Sequence, residues 1–131
     1  MKLKQIIEAA EPLKRLSEKR LASYKKMREL VKLRKSVEQE LEFYKTEESK
    51  CIDVYAEKDS NGNPVFLDDG RIQLKDLNAK IAFEKEIDTL RNTDIDGIEP
   101  VSVTEDDFLS PGDYPTINEM LSLEGIVNFE D

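Results

Sequence analysis

The chain has 131 residues, 38% of them apolar and 37% charged, with a net charge of −9, no histidine and a single cysteine, Cys51. That composition fits one domain, or one domain with an extended element, in which a modest core lies under a heavily charged surface. It excludes an internal disulfide, Cys/His zinc sites and histidine-based triads or dyads. No apolar run approaches the ~20 residues needed to cross a bilayer, and Glu8 and Glu11 interrupt the N-terminus before a signal-peptide core develops. A protein that stays inside the cell and off the membrane is the expectation.

In chain order, Leu3, Ile6, Ile7 and Ala10 recur at helical spacing. Pro12 either kinks this helix or opens a new one, and Leu13, Leu16 and Leu21 continue the apolar pattern. The clearest periodicity follows. Leu30, Val37, Tyr44 and Cys51 are seven apart, and Arg34, Leu41, Glu48 and Tyr55 interleave with them. This predicts one helix from about Ser23 to about Glu57, roughly 50 Å long at 1.5 Å per residue. Leu30, Val37, Leu41 and Tyr44 are its expected packing residues. A helix that long must be covered by the N-terminal helix as a hairpin, by a second copy, or by a partner. Arg34 and Glu48 in the seam argue against a continuous dimeric coiled coil. Cys51, on the same face, reads as a small buried hydrophobe.

Turn formers from Lys58 to Pro64 end the helix. Asp59, Asn61 and Asn63 begin like a calcium loop, but Pro64 stands where glycine is required and Gly70 where glutamate is, so a turn is the better reading. Asp68-Asp69-Gly70 between two apolar runs predicts a β-hairpin near 64–75. Asp76 is placed to cap a helix over 77–91, with Leu77, Ile81, Ile87 and Leu90 on its apolar face. Beyond Asn92, Ile95, Ile98, Val101 and Val103 suggest a short strand broken at Gly97 and Pro100. Asp94, Asp96 and Glu99 read as a solvated acidic loop ahead of a metal site. Thr116 caps a brief helix through Leu123 that Gly125 ends, and Ile126–Phe129 forms a strand, a docked tail or an arm. The fold class is therefore mainly α with a small β element: a long helical hairpin or bundle plus a short β-hairpin. The expected division is a helical domain over 1–92 and an acidic segment over 93–131.

Charge is polarised. Residues 1–35 carry a net +8 and residues 36–131 a net −17, with no lysine or arginine after Arg91. Either the acidic segment folds back on the basic helices, within the chain or in a neighbouring subunit, or each pole meets its own partner. Candidate partner-binding residues are Lys25, Lys26, Arg28, Lys32 and Arg34 at the basic pole and Asp106, Asp107, Phe108 and Phe129 at the acidic one. No residue is assigned to catalysis, to a metal or to a cofactor, and none of these groups is expected. Nucleic-acid binding is the less favoured use of the basic pole, because only Tyr24 supplies an aromatic neighbour.

The run from Arg34 to Tyr44, then Tyr55-Ala56-Glu57-Lys58-Asp59-Ser60-Asn61-Gly62, and finally Asn92-Thr93 followed by Ile98-Glu99-Pro100, resembles a family of small bacteriophage and prophage proteins. That family is similar in its basic N-terminal helix, its long Lys/Glu-rich helix and its EKD-x-x-G turn. The likeness covers roughly residues 1–110. It implies a phage-encoded accessory protein made in the host bacterial cytoplasm, with virion association compatible, and it supplies no mechanism. The resulting expectation is a non-catalytic protein that works by protein–protein binding or assembly, with a homo-oligomer as one form. The alternative is an inhibitor of a host defence or nucleic-acid enzyme acting through its acidic surface, and direct nucleic-acid binding comes third.

Overall fold

The computed structural model describes residues 1–130. Four helices, α1 (Leu3–Glu18), α2 (Tyr24–Tyr55), α3 (Leu77–Arg91) and α4 (Ile117–Ser122), are accompanied by two short strands, β1 (Val101–Thr104) and β2 (Val127–Glu130). The mainly helical class with a small β element is thus the observed one. The long helix ends within two residues of its expected bounds. Pro12 does not divide α1: its ring lies on the buried face, and the helix runs on to Glu18, although proline has no N–H to donate to the carbonyl four residues back.

The chain forms two compact units, Met1–Leu41 with Asp94–Asp131, and Glu42–Thr93. This corrects the division at residue 92, because the acidic segment and the basic N-terminal helices share one core. In the first unit, Leu3, Ile6, Leu13 and Leu16 of α1 are buried, as are Leu30, Leu33 and Val37 of α2. From the acidic segment, Val101, Val103, Leu123, Ile126 and Val127 are buried. Backbone pairing joins the two stretches directly. The Ile95 N–H donates to the Met1 carbonyl at 2.8 Å and the Ala22 N–H to the Asp107 carbonyl at 2.9 Å. The strand expected over 95–103 is confined to β1, which pairs in parallel with β2 from Val101↔Val127 to Thr104↔Glu130; Ile95 and Ile98 lie outside it. Thr116 caps α4 as anticipated, and the cap is a capping box: Thr116 accepts from the Glu119 N–H and Glu119 reaches back to the Thr116 N–H. Gly125 follows with φ +89°, and a Cβ there would stand 2.8 Å from the Met1 methyl, so any other residue would strain the backbone at this turn and push the Met1 side chain aside.

The second unit joins the C-terminal part of α2, the turns and α3. In place of a simple hairpin near 64–75, three extended pieces close on one another. The Val65 N–H donates to the Glu57 carbonyl, the Gln73 N–H to Val65, and the Glu57 N–H to Gln73, at 2.8–2.9 Å. Antiparallel bridges Lys58↔Pro64, Phe66↔Ile72 and Ala56↔Leu74 complete the ring, and Ala56 is buried within the unit. The hairpin expected from Asp-Gly is one side of this triangle. α3 starts at the anticipated cap, the Asp76 carboxylate accepting from the Ala79 N–H at 2.7 Å.

Candidate interaction site

In α3, Ala79, Phe83, Glu86 and Leu90 recur every three or four residues and so share one face. That face meets α2 inside the second unit. Phe83 lies edge-on to Tyr55 with ring centroids 6.4 Å apart. The Glu86 carboxylate accepts from the Tyr55 hydroxyl at 2.7 Å and from the Cys51 thiol at 3.2 Å. The Arg91 guanidinium stacks over the Tyr44 ring, 5.6 Å from its centroid, and donates to its hydroxyl. These contacts are largely polar or aromatic edge contacts. Among the described residues of this unit, Tyr44, Ala56 and Ala79 are the buried hydrophobic side chains.

The opposite face of α3 carries Leu77 and Ile81, one turn apart, 70% and 57% exposed. Beside it the triangle of turns presents Phe66, 59% exposed, and Leu67. An open groove of about 690 Å³ runs between them, lined by Leu67, Ile72, Leu74, Leu77, Lys80 and Phe83. Lone exposed apolar residues are ordinary, whereas these cluster beside a groove in a unit with a small core. Helical period places Leu77 and Ile81 on an apolar face expected to pack inward, and the structure leaves both exposed. Period alone does not tell which side of an amphipathic helix its neighbours cover. Gly62 and Gly70, eight residues apart like Glu57, Val65 and Gln73, are the signal for the closed triangle.

Cys51 is half-buried, where full burial was expected, and its thiol meets the Glu86 carboxylate of α3. Burial first, then its hydrogen bond to the Glu86 carboxylate, pushes its thiol up to about 11. It therefore remains protonated near neutral pH. The same two hydrogen bonds, that from Tyr55 first, hold Glu86 below the usual carboxylate range. Asp59 uses one carboxylate oxygen to accept from the N–H groups of Asn61 and Asn63, the turn that its sequence suggested.

The candidate residues of the charge poles separate into two groups. Lys26 donates to the Ser102 carbonyl at 2.5 Å and pairs with Glu29, so it secures β1. Arg34 is held by Glu38 at 2.8 Å and by the Ser17 hydroxyl. Both are structural, because their side chains reach neighbouring segments. Lys25, Arg28 and Lys32 remain exposed. At the acidic pole, the Asp107 carboxylate accepts from the Thr104 N–H at 2.8 Å. Phe108 is buried, edge-on to Tyr114, and Phe129 is half-buried against the same ring. These three shape the fold, which corrects their assignment to a partner surface; Asp106 alone of the four is exposed. Of the expected packing residues, Leu30, Val37 and Tyr44 are buried. Leu41 is only half-buried, where α2 passes from one unit to the other.

No helix among the described residues is long and apolar enough to cross a membrane. Comparison with known proteins finds no matching family model, no matching curated protein and no matching solved structure.

Proposed function

We propose that this chain is a non-catalytic interaction protein whose second unit binds a protein partner through the groove between α3 and the turn triangle. The observation that carries the reading is the mismatch within that unit: Phe66, Leu67, Leu77 and Ile81 are exposed while its core holds one aromatic ring and two alanines. Covering those four side chains contributes on the order of 1–2 kcal/mol each, since a fully buried large apolar side chain is worth ~1.5–3 kcal/mol. That is enough to favour a specific complex after part of it is lost to ordering both surfaces. The protonated thiol of Cys51 and the absence of histidine support a role without covalent or general-base chemistry. The resemblance to small phage proteins adds a setting, that of an accessory or assembly factor in a bacterial cytoplasm.

The test is the double substitution Leu77→Glu with Ile81→Glu. Both positions face solvent, so the helical circular dichroism and the melting temperature should stay close to those of the parent. A specific partner retained by the parent protein should be lost by the variant. Retention of the same partner by a folded variant would refute the assignment of this groove.

A further inference from the structure

In the first unit, Leu30, Leu33 and Val37 turn α2 toward the core. The residues on the far side of the helix face solvent. They are Tyr24, Lys25, Arg28, Val31, Lys32 and Lys35, all exposed, with Tyr24 at 80%. The four cations lie at three- and four-residue intervals, a stripe roughly 15 Å long at the helical rise. Their side chains have no ion-pair or hydrogen-bond partner among the described residues, whereas Lys26 and Arg34 on the same helix do.

The acidic segment of the same molecule is already committed elsewhere. The Lys2–Asp94 and Arg15–Glu119 ion pairs, the β1–β2 ladder and the contact of α4 with α1 fix it within the unit. The Lys19 ammonium donates to the Asp113 carbonyl as well. Its own exposed edge has a composition that complements the α2 stripe. Ile117 and Leu121, one turn apart on α4, are 75% and 63% exposed. Glu124 follows one turn later and is exposed, and a shallow groove of about 420 Å³ continues past it to Phe129.

We infer that the outer face of α2 over Tyr24–Lys35 docks the α4 edge of a second copy of this chain. Ile117 and Leu121 meet Tyr24 and Val31, and the Glu124 carboxylate meets the cations Arg28, Lys32 and Lys35. The segment from 92 onward carries no lysine or arginine to oppose the stripe. The net charge of −9 opposes a long nucleic acid and a second copy alike at long range, so the contact rests on the local match of two apolar and oppositely charged faces. The two faces differ, so the contact is heterologous, and repetition of it builds a ring or an open filament. This surface lies in the first unit and is independent of the groove beside α3.

Sedimentation velocity on the full chain tests the inference. At about 50 mM salt the weight-average mass should rise with protein concentration above the 15.1 kDa of the single chain, and it should fall back toward that value near ~0.5 M salt as the charges are screened. Two charge-reversed variants, Arg28→Glu/Lys32→Glu/Lys35→Glu and Leu121→Lys/Glu124→Lys, should each weaken self-association at least about tenfold. An equimolar mixture of the two should associate again, because each supplies the face that the other lacks. Leu77→Glu should assemble like the parent, which separates this surface from the groove. The salt series on the parent protein stands even where a variant fails to fold. A parent that stays at 15.1 kDa at every concentration in low salt overturns the inference. So does association indifferent to the reversals, or tight duplex DNA binding at about 150 mM salt that the first variant abolishes.

Discussion

Leu30 and Leu41 are both seam residues of one periodic helix, and the sequence treats them alike; the structure does not. Leu30 is 1% exposed in the core of the first unit, against buried Leu33 and Val37 on the same face of α2, whereas Leu41 is half-buried. Leu30→Ala should therefore remove a full complement of packing contacts and leave a cavity, a loss of about 3–4 kcal/mol on the scale of leucine-to-alanine changes in closed cores. At Leu41, with part of its surface already in water, the same change should cost about 1–2 kcal/mol, because less apolar area is lost and solvent fills the gap. Urea unfolding followed by helical circular dichroism measures both. With a slope of ~1–3 kcal/mol per molar urea, Leu30→Ala should lower the midpoint by ~1–4 M, and Leu41→Ala by about a quarter to two thirds as much. Equal shifts, or a Leu30→Ala cost below about 1 kcal/mol, would refute the packing described for the first unit.

Two further outcomes follow from single residues. With its thiol pushed up to about 11, Cys51 should be alkylated roughly a hundredfold more slowly at pH 8 than an unhindered cysteine, and Glu86→Ala should recover part of that rate, as read by mass spectrometry. The Glu119 carboxylate is held below its usual range, chiefly by the Thr116 backbone hydrogen bond. Because its folded pKa is depressed, its stabilisation of α4 is present above the unfolded pKa and is lost as pH falls through the folded one. Amide shifts of residues 117–122 should move in that acidic window, and Glu119→Gln should remove the step; an unchanged profile in the variant would assign the titration elsewhere.

Elements set by short-range chemistry were legible in the sequence. The Asp76 and Thr116 caps, the stop at Gly125 and the extent of α2 each depend on residues within a few positions of one another. What the sequence did not disclose depends on long-range closure. The acidic segment enters the core of the basic helices through Val101, Val103, Leu123 and Ile126, and charge polarity alone left open whether it did so within the chain. Phe108 and Phe129 looked like exposed anchors in an acidic frame. Their rings instead flank Tyr114, a contact among residues whose order in the chain carries no period. At the candidate site, Leu77 and Ile81 were recognised as one apolar face. Its exposure was hidden because the matching face of α2 is satisfied from the other side of α3, through Phe83 and Glu86.

A photo-reactive amino acid placed at position 77 tests the central claim most directly, with Thr89 on the same helix as the control site. In cells where the protein acts, irradiation should join position 77 to one discrete protein species, with little product from position 89. Cross-links to nucleic acid, equal products from the two sites, or no protein product from position 77 would contradict the account.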